Sequence, residues 1–200
     1  MPYDEKFFEA YREYLKEPIV RKNHDHVFRI FAYLMLTEIP HVMDLGCGIG
    51  EYAMYDPYHM KYVGIDLHNP EGIKPFIQTD YTALDFMGKT PFRPNAFISL
   101  FSTELFLSDR AKYAFYERIF RELLHIRFGM VSGFFYESRR RQKILKELEG
   151  TDKEVTSRQT IEHPSRYISD HFTEMRIHMH TPSQMFGQDV VEVWKIFVRR

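Results

Sequence analysis

His41-Val42-Met43-Asp44-Leu45-Gly46-Cys47-Gly48-Ile49-Gly50 is a strand-like run that passes into glycine at every second position. Glycine permits torsions and close approach that a Cβ would obstruct, so a ligand can lie directly over such a turn. A dinucleotide fingerprint, G-x-G-x-x-G, uses the positive end of the following helix to hold a pyrophosphate, and its third glycine would fall at residue 51. That residue is Glu51. With Asp44 two residues ahead of the first glycine, the turn carries acids on both sides, so it repels phosphate and favours a ligand bearing positive charge. A tight strand-to-helix turn with no ligand is the plainer alternative for this motif taken alone.

Outward from this turn, the chain between residues 41 and 136 alternates short apolar runs with polar or glycine-containing turns, as a parallel sheet buried on both faces requires. Strands are expected near 41–45, 62–66, 76–80, 96–101 and 130–136. Asp66 ends the second of these, 22 residues beyond Asp44. Roughly that interval places a carboxylate on ribose hydroxyls in nucleotide-binding α/β folds, and a carboxylate can accept two hydrogen bonds from a vicinal diol. Asp80 ends the third strand, where it can accept from an exocyclic adenine amine. Each acid by itself is as readily an ordinary strand-end residue. Three on consecutive strand ends share the carboxyl edge of the sheet, where open α/β sheets bind ligands.

Upstream, Phe7, Tyr11 and Tyr14, then Val27, Ile30, Phe31 and Leu34, repeat at helical spacing, with Pro18 interrupting between them. Residues 108–124 form the best long helix, carrying Tyr116, Ile119, Phe120 and Leu123 on one stripe, and it crosses from the fourth strand to the fifth. A short helix over 165–171 and strands over 174–180 and 190–198, paired as a hairpin with a long loop, complete the chain. The stretch 139–158 mixes seven basic with four acidic residues and reads as a solvated helix and loop. Its cluster Arg139, Arg140, Arg141 and Lys143 is diluted by the acids that follow as a site for RNA phosphates.

At 200 residues, 44% hydrophobic, the chain can bury one sizeable core, so a single domain over 1–200 is expected. Its 27 basic and 28 acidic residues cancel, which removes any whole-chain attraction to nucleic acid or an anionic membrane. The sequence contains no apolar run of membrane-spanning length, and the start lacks the order of a signal peptide, so the cytoplasm is the expected location. The single cysteine, Cys47, makes neither an internal disulfide nor a thiolate zinc site and reads as filler of the turn. Ten histidines include the pairs His24/His26 and His178/His180, but no spacing supplies the three or four converging ligands of a zinc site, and no metal is expected.

These residues resemble the class I S-adenosylmethionine-dependent methyltransferase family from about residue 23 to the end of the chain. The family's D-x-G-x-G-x-G motif matches Asp44-Leu45-Gly46-Cys47-Gly48-Ile49-Gly50, its ribose acid matches Asp66, and its adenine acid matches Asp80. The resemblance implies an α/β, Rossmann-like, seven-stranded and mostly parallel sheet of order 3-2-1-4-5-7-6, with helices on both faces. Its last strand would insert antiparallel between the fifth and sixth, and residues 1–38 would form an N-terminal helical lid on a core of 39–200. The cofactor implied is S-adenosylmethionine, with Leu67 and Tyr81 packing on the adenine and Leu100, Phe101 and Ser102 lining the methionine side.

The chain departs from the family pattern in two places. Eleven residues including Pro57 separate Gly50 from Tyr62, and nine including Pro70 and Pro75 separate Asp66 from Phe76, so the first crossover helices must be very short. One sheet face then needs covering by the N-terminal helices or by a second subunit, so a homodimer is one expectation.

Methyl transfer needs little beyond positioning and, for some acceptors, removal of a proton. Residues 101–106 lack the Asp/Asn-Pro-Pro-Tyr/Phe signature with which some relatives orient an amine, which argues against a base-modifying DNA or RNA enzyme. Glu104 is a candidate general base or a group to orient a cationic acceptor, with a solvated carboxylate near a helix start as the plainer and preferred reading, and Tyr136 and Glu137 are weaker candidates. Tyr11 and His26 on the lid, with Tyr136, are candidates for the acceptor side; the competing reading is that the stripe of Tyr3, Phe7, Tyr11 and Tyr14 simply packs on the sheet. A small-molecule methyltransferase is therefore expected. An RNA or protein acceptor, a non-catalytic protein binding S-adenosylmethionine or S-adenosylhomocysteine, or a nicotinamide-dependent oxidoreductase, which Glu51 and Asp44 oppose, are the alternatives. Gly46→Val is expected to abolish ligand binding while leaving the chain folded.

Overall fold

The computed structural model describes residues 5–36, 38–54, 61–102, 109–136, 165–180 and 190–200. Two helices open the chain, α1 (Glu5–Lys16) and α2 (Pro18–Leu34). Pro18, which cannot sit inside a continuous helix, occupies the first turn of the second, where its missing N–H costs nothing. There follow β1 (His41–Leu45), α3 (Glu51–Met54), β2 (Lys61–Asp66), β3 (Phe76–Gln78), β4 (Ala96–Leu100), α4 (Asp109–Glu122), β5 (Phe128–Tyr136), α5 (Arg166–His171), β6 (Phe172–His180) and β7 (Val190–Arg199). A 3-10 turn, Tyr81–Ala83, lies between β3 and β4.

The seven strands form one sheet of order β3-β2-β1-β4-β5-β7-β6. The first five run parallel, with Asp44 of β1 level with Gly64 of β2 and Ile98 of β4. Both contacts of β7 are antiparallel, Ser132↔Trp194 on one side and Ile177↔Trp194 on the other, so the last strand enters between β5 and β6 as the resemblance implied. This sheet, with helices on both faces, is Rossmann-like.

Alternation along β1 sorts the core into two halves, because successive side chains point to opposite faces. Val42 joins Ala96, Ile98, Met130, Trp194 and Ile196 under α1 and α2. Met43 and Leu45 join Val63, Ile65, Phe97 and Phe197 under α4, whose Tyr113, Tyr116, Ile119 and Phe120 are the predicted stripe. The first face is the one the crossovers cover least among the described residues, since no helix lies between β2 and β3. Helices α1 and α2 cover it with Phe8, Tyr11, Tyr14, Val27 and Phe31, so of the predicted aromatic stripe Tyr11 and Tyr14 are core residues, the Phe7 side chain lies outside the described residues, and the face is covered by this chain's own helices.

Three strand boundaries move by two residues from those expected. β3 ends at Gln78 because Asp80 turns outward to cap the 3-10 turn, accepting from the Thr82 N–H at 2.9 Å. β5 begins at Phe128 and β6 at Phe172, where pairing with Val198 and Arg199 of β7 carries each strand past its apolar run. Tyr3, Glu104, Glu137 and the charged stretch 139–158 lie outside the described residues. Among the described residues no helix is long and apolar enough to cross a membrane, and no three His, Cys, Asp or Glu side chains are grouped to hold a metal ion.

Candidate functional site

The turn after β1 is built as its glycines suggested. Gly46, Gly48 and Gly50 have φ of +69°, +51° and +68°, in the region that L side chains rarely adopt. The Gly46 N–H donates to the Ile65 carbonyl at 2.8 Å and the Gly50 N–H to the Cys47 carbonyl at 2.7 Å, which fixes the turn against β2. A Cβ on Gly46 would sit 2.5 Å from the Ser102 Cβ and 2.9 Å from the Tyr81 ring. Gly46→Val therefore strains the backbone and collides with two buried side chains, so it would disturb the fold as well as a ligand; the expectation of an intact fold is corrected on this steric ground. Cys47 is buried, and burial pushes its thiol far above the ordinary value, as filler rather than nucleophile.

Asp44 is almost wholly buried at the end of β1. Its Oδ2 accepts from the Tyr62 hydroxyl at 2.6 Å, while Oδ1 has no hydrogen-bond partner. Burial pushes its pKa up to about 7 against the Tyr62 bond, helped by the negative charges of Asp66 and Glu51. One strand over, Asp66 accepts from the Gly48 N–H at 2.9 Å and from the His68 N–H at 3.2 Å, tying the end of β2 to the glycine turn. Leu67, beside it, is exposed. Asp80 is exposed, with Oδ1 engaged by Thr82.

Tyr81 is buried, and its hydroxyl donates to the Ser102 carbonyl at 3.0 Å. The Ser102 hydroxyl donates in turn to the Leu45 carbonyl at 2.9 Å and lies 2.5 Å from the Ser99 hydroxyl. Leu100 is half-buried, and Phe101 is a buried non-glycine residue at φ +54° whose N–H donates to the Ser132 carbonyl at 3.1 Å. A side chain held in that region is strained, and such strain collects at functional sites. All the sequence-predicted cofactor residues thus gather at the carboxyl edge of β1, β2, β3 and β4. Tyr136 lies at the far end of β5, opposite Val190.

The lid candidates separate. His26 is exposed on α2, whereas His24, two residues earlier, is completely buried. Its Nδ1 lies 2.5 Å from Glu51 Oε1, and its Nε2 lies 3.0 and 3.1 Å from the Glu192 oxygens. Tyr11 also donates to Glu51, at 2.7 Å; Tyr14 and the Trp194 indole donate to Glu192, the indole at 3.0 Å. Glu51 is thus turned under α1 and α2 rather than left open on the turn. Burial pushes the Glu192 carboxyl up to about 8, opposed by the Trp194 bond. Glu192 was missed, although a lone acid between the valines of an apolar final strand, on the face shared by Trp194 and Ile196, marks an inward-facing charge.

No protein-family profile and no curated protein sequence matches this chain. Solved structures do resemble it. The plantazolicin methyltransferase BpumL, determined with S-adenosylhomocysteine, superposes with a TM-score of 0.57 at 14% identity, over 98% of this chain and 91% of its own. The N-methyltransferase NodS from Bradyrhizobium japonicum, also with S-adenosylhomocysteine, gives 0.54 at 12%, over 98% and 99%. A cyclopropane-fatty-acyl-phospholipid synthase-like protein from Lactobacillus casei gives 0.53 at 11%, over 87% and 90%. This chain has the class I methyltransferase fold.

Proposed function

We propose that this chain binds S-adenosylmethionine over residues 44–50 and is a methyltransferase acting on a small-molecule acceptor. The observation that carries the reading is Asp44 Oδ1, a buried carboxylate oxygen without a partner beside a glycine turn at the carboxyl edge of the sheet. A buried acceptor left unpaired is costly, and an ammonium group would satisfy it and favour its ionised form. The likeness to two structures determined with S-adenosylhomocysteine supports the same ligand.

On this reading Asp44 holds the donor's ammonium and Asp66 accepts from the ribose hydroxyls while keeping the Gly48 N–H in place. Asp80 accepts from the adenine amine, with Leu67 and Tyr81 flanking the ring. Gly46, Cys47, Gly48 and Gly50 supply close backbone approach, and Leu100, Phe101 and Ser102 bound the methionine side. The donor supplies an electrophilic methyl on a sulfonium, open to in-line attack by a lone pair of the acceptor. The strained Phe101, packed edge-on to Tyr11 at 6.0 Å and stacked with His24 at 5.7 Å, walls the site from water on the lid side. The balance of 27 basic and 28 acidic residues favours a small acceptor over RNA, which needs a basic footprint.

Calorimetric titration with S-adenosylmethionine, S-adenosylhomocysteine and NADH tests the donor. Binding of both adenosyl ligands and not NADH is expected; NADH alone would overturn the reading in favour of an oxidoreductase. Incubation with S-adenosylmethionine and pools of small molecules, RNA or protein then tests the acceptor. S-adenosylhomocysteine formed only with an RNA or protein pool would move the acceptor class, and none formed with any pool would leave a non-catalytic binding protein.

A further inference from the structure

Glu51 directly follows the last glycine of the turn, yet its carboxylate is held by the N-terminal helices. His24 of α2 lies 2.5 Å from one oxygen and Tyr11 of α1 donates to the other at 2.7 Å. The other face of the imidazole meets Glu192 on β7 at 3.0 Å, and Glu192 accepts from Tyr14 and from Trp194. His24 and Glu192 are fully buried, Glu51 nearly so. Both imidazole nitrogens face carboxyl oxygens, so the one ring ties α2 to the glycine turn through Glu51 and to β7 through Glu192. Such a group is stable only when assembled. Withdrawing α2 would take His24 from between two buried carboxyl groups and break both of its contacts at once, a larger loss than that of one exposed hydrogen bond.

We propose that His24 is a positioning residue for donor binding: through Glu51 it couples the seating of the N-terminal helices to the shape of the glycine turn. The proposal rests on the donor reading above. His24 does not touch the turn's backbone; it acts on it through the Glu51 side chain. Coupling of this kind is reciprocal, so whatever the seated helices do for donor affinity, the donor does for their seating. Trp194, the single tryptophan of the chain, has its ring centroid 4.9 Å from that of His24 and its indole bonded to Glu192, so its emission reports on this relay.

The test titrates the whole protein with S-adenosylhomocysteine, following heat and Trp194 fluorescence together. In the wild type, emission is expected to change with the same midpoint as the heat. His24→Gln and Tyr11→Phe, which each loosen Glu51, are expected to weaken binding about tenfold and to reduce the emission change at saturation. Val20→Ala, in the buried face of α2 but outside the relay, is expected to lower the melting temperature and leave affinity within about twofold. Heat without any emission change in the wild type would overturn the coupling, and this arm requires no variant to fold. Unchanged affinity in both relay variants, or an equal loss in Val20→Ala, would also overturn it while the donor reading stands. No heat with S-adenosylhomocysteine or S-adenosylmethionine in the wild type would overturn the donor reading and the coupling together.

Discussion

Burial raises the Glu192 carboxyl from its ordinary 4.5 to about 8, and the retained proton has a consequence of definite sign. The unfolded chain gives up this proton above its ordinary value while the folded chain keeps it, so the contribution to stability is full at acid pH and is lost as pH rises through that window. Each tenfold change in proton affinity corresponds to about 1.4 kcal/mol, so the whole window contributes on the order of 3–5 kcal/mol. The melting temperature should fall by several degrees between about pH 5 and about pH 8.5, and Glu192→Gln should flatten that fall; a level wild-type profile would mean that Glu192 is ionised in the fold. Asp44, raised from 3.8 to about 7, adds to the loss with the same sign over its own lower window. Where Asp44 holds an ammonium group, its carboxylate is the binding form, so affinity for S-adenosylhomocysteine should rise as pH passes about 7. Asp44→Asn should bind about tenfold more weakly with no such dependence. Asp66→Ala removes a charged hydrogen-bond acceptor, generally worth about 1.5–3 kcal/mol, and calorimetry should show binding weakened roughly tenfold to a hundredfold. Asp44, Asp66 and the glycines were legible because each sits at a strand end that local pattern marks. His24 could not be told from His26 in that way, since burial separates the two and their spacing does not.

Helix α4 is the element whose loss would be felt most on its own face of the sheet. Ile119 is fully buried there, and Phe120 packs against Phe172 with ring centroids 3.9 Å apart. Truncating a buried isoleucine typically costs about 2–5 kcal/mol, so Ile119→Ala should lower the denaturation midpoint accordingly, and a loss below about 1 kcal/mol would contradict this packing. The helix was legible from its stripe, with its last residue at Glu122 against the expected 124. The want of a helix between Asp66 and Phe76 was legible too, because nine residues with two prolines leave little room for one. The starts of β5 and β6 were not, because they depend on pairing with β7, which arrives from a distant part of the chain.

In the whole molecule the N-terminal helices do what crossover helices do elsewhere in such folds: they close one face of the sheet. Deleting residues 1–38 should therefore expose Val42, Ala96, Ile98, Trp194 and Ile196 together and yield an aggregated chain in gel filtration; a soluble, cooperatively melting remainder would make the helices an accessory lid. The sequence by itself determined the glycine turn, the acids at consecutive strand ends, the two-sided parallel sheet and the stripe of α4. Each of these is written in residues a few positions apart, where turn chemistry and periodicity act directly. That Glu51 turns under α1 and α2, and that His24 joins it to Glu192, came from the tertiary structure alone. His24 and Glu192 lie 168 residues apart, and nothing in their own neighbourhoods requires them to meet. They meet because the antiparallel insertion of β7 carries a carboxylate to the one place where α2 covers the sheet. Once there, buried charge tolerates no arrangement but a paired one.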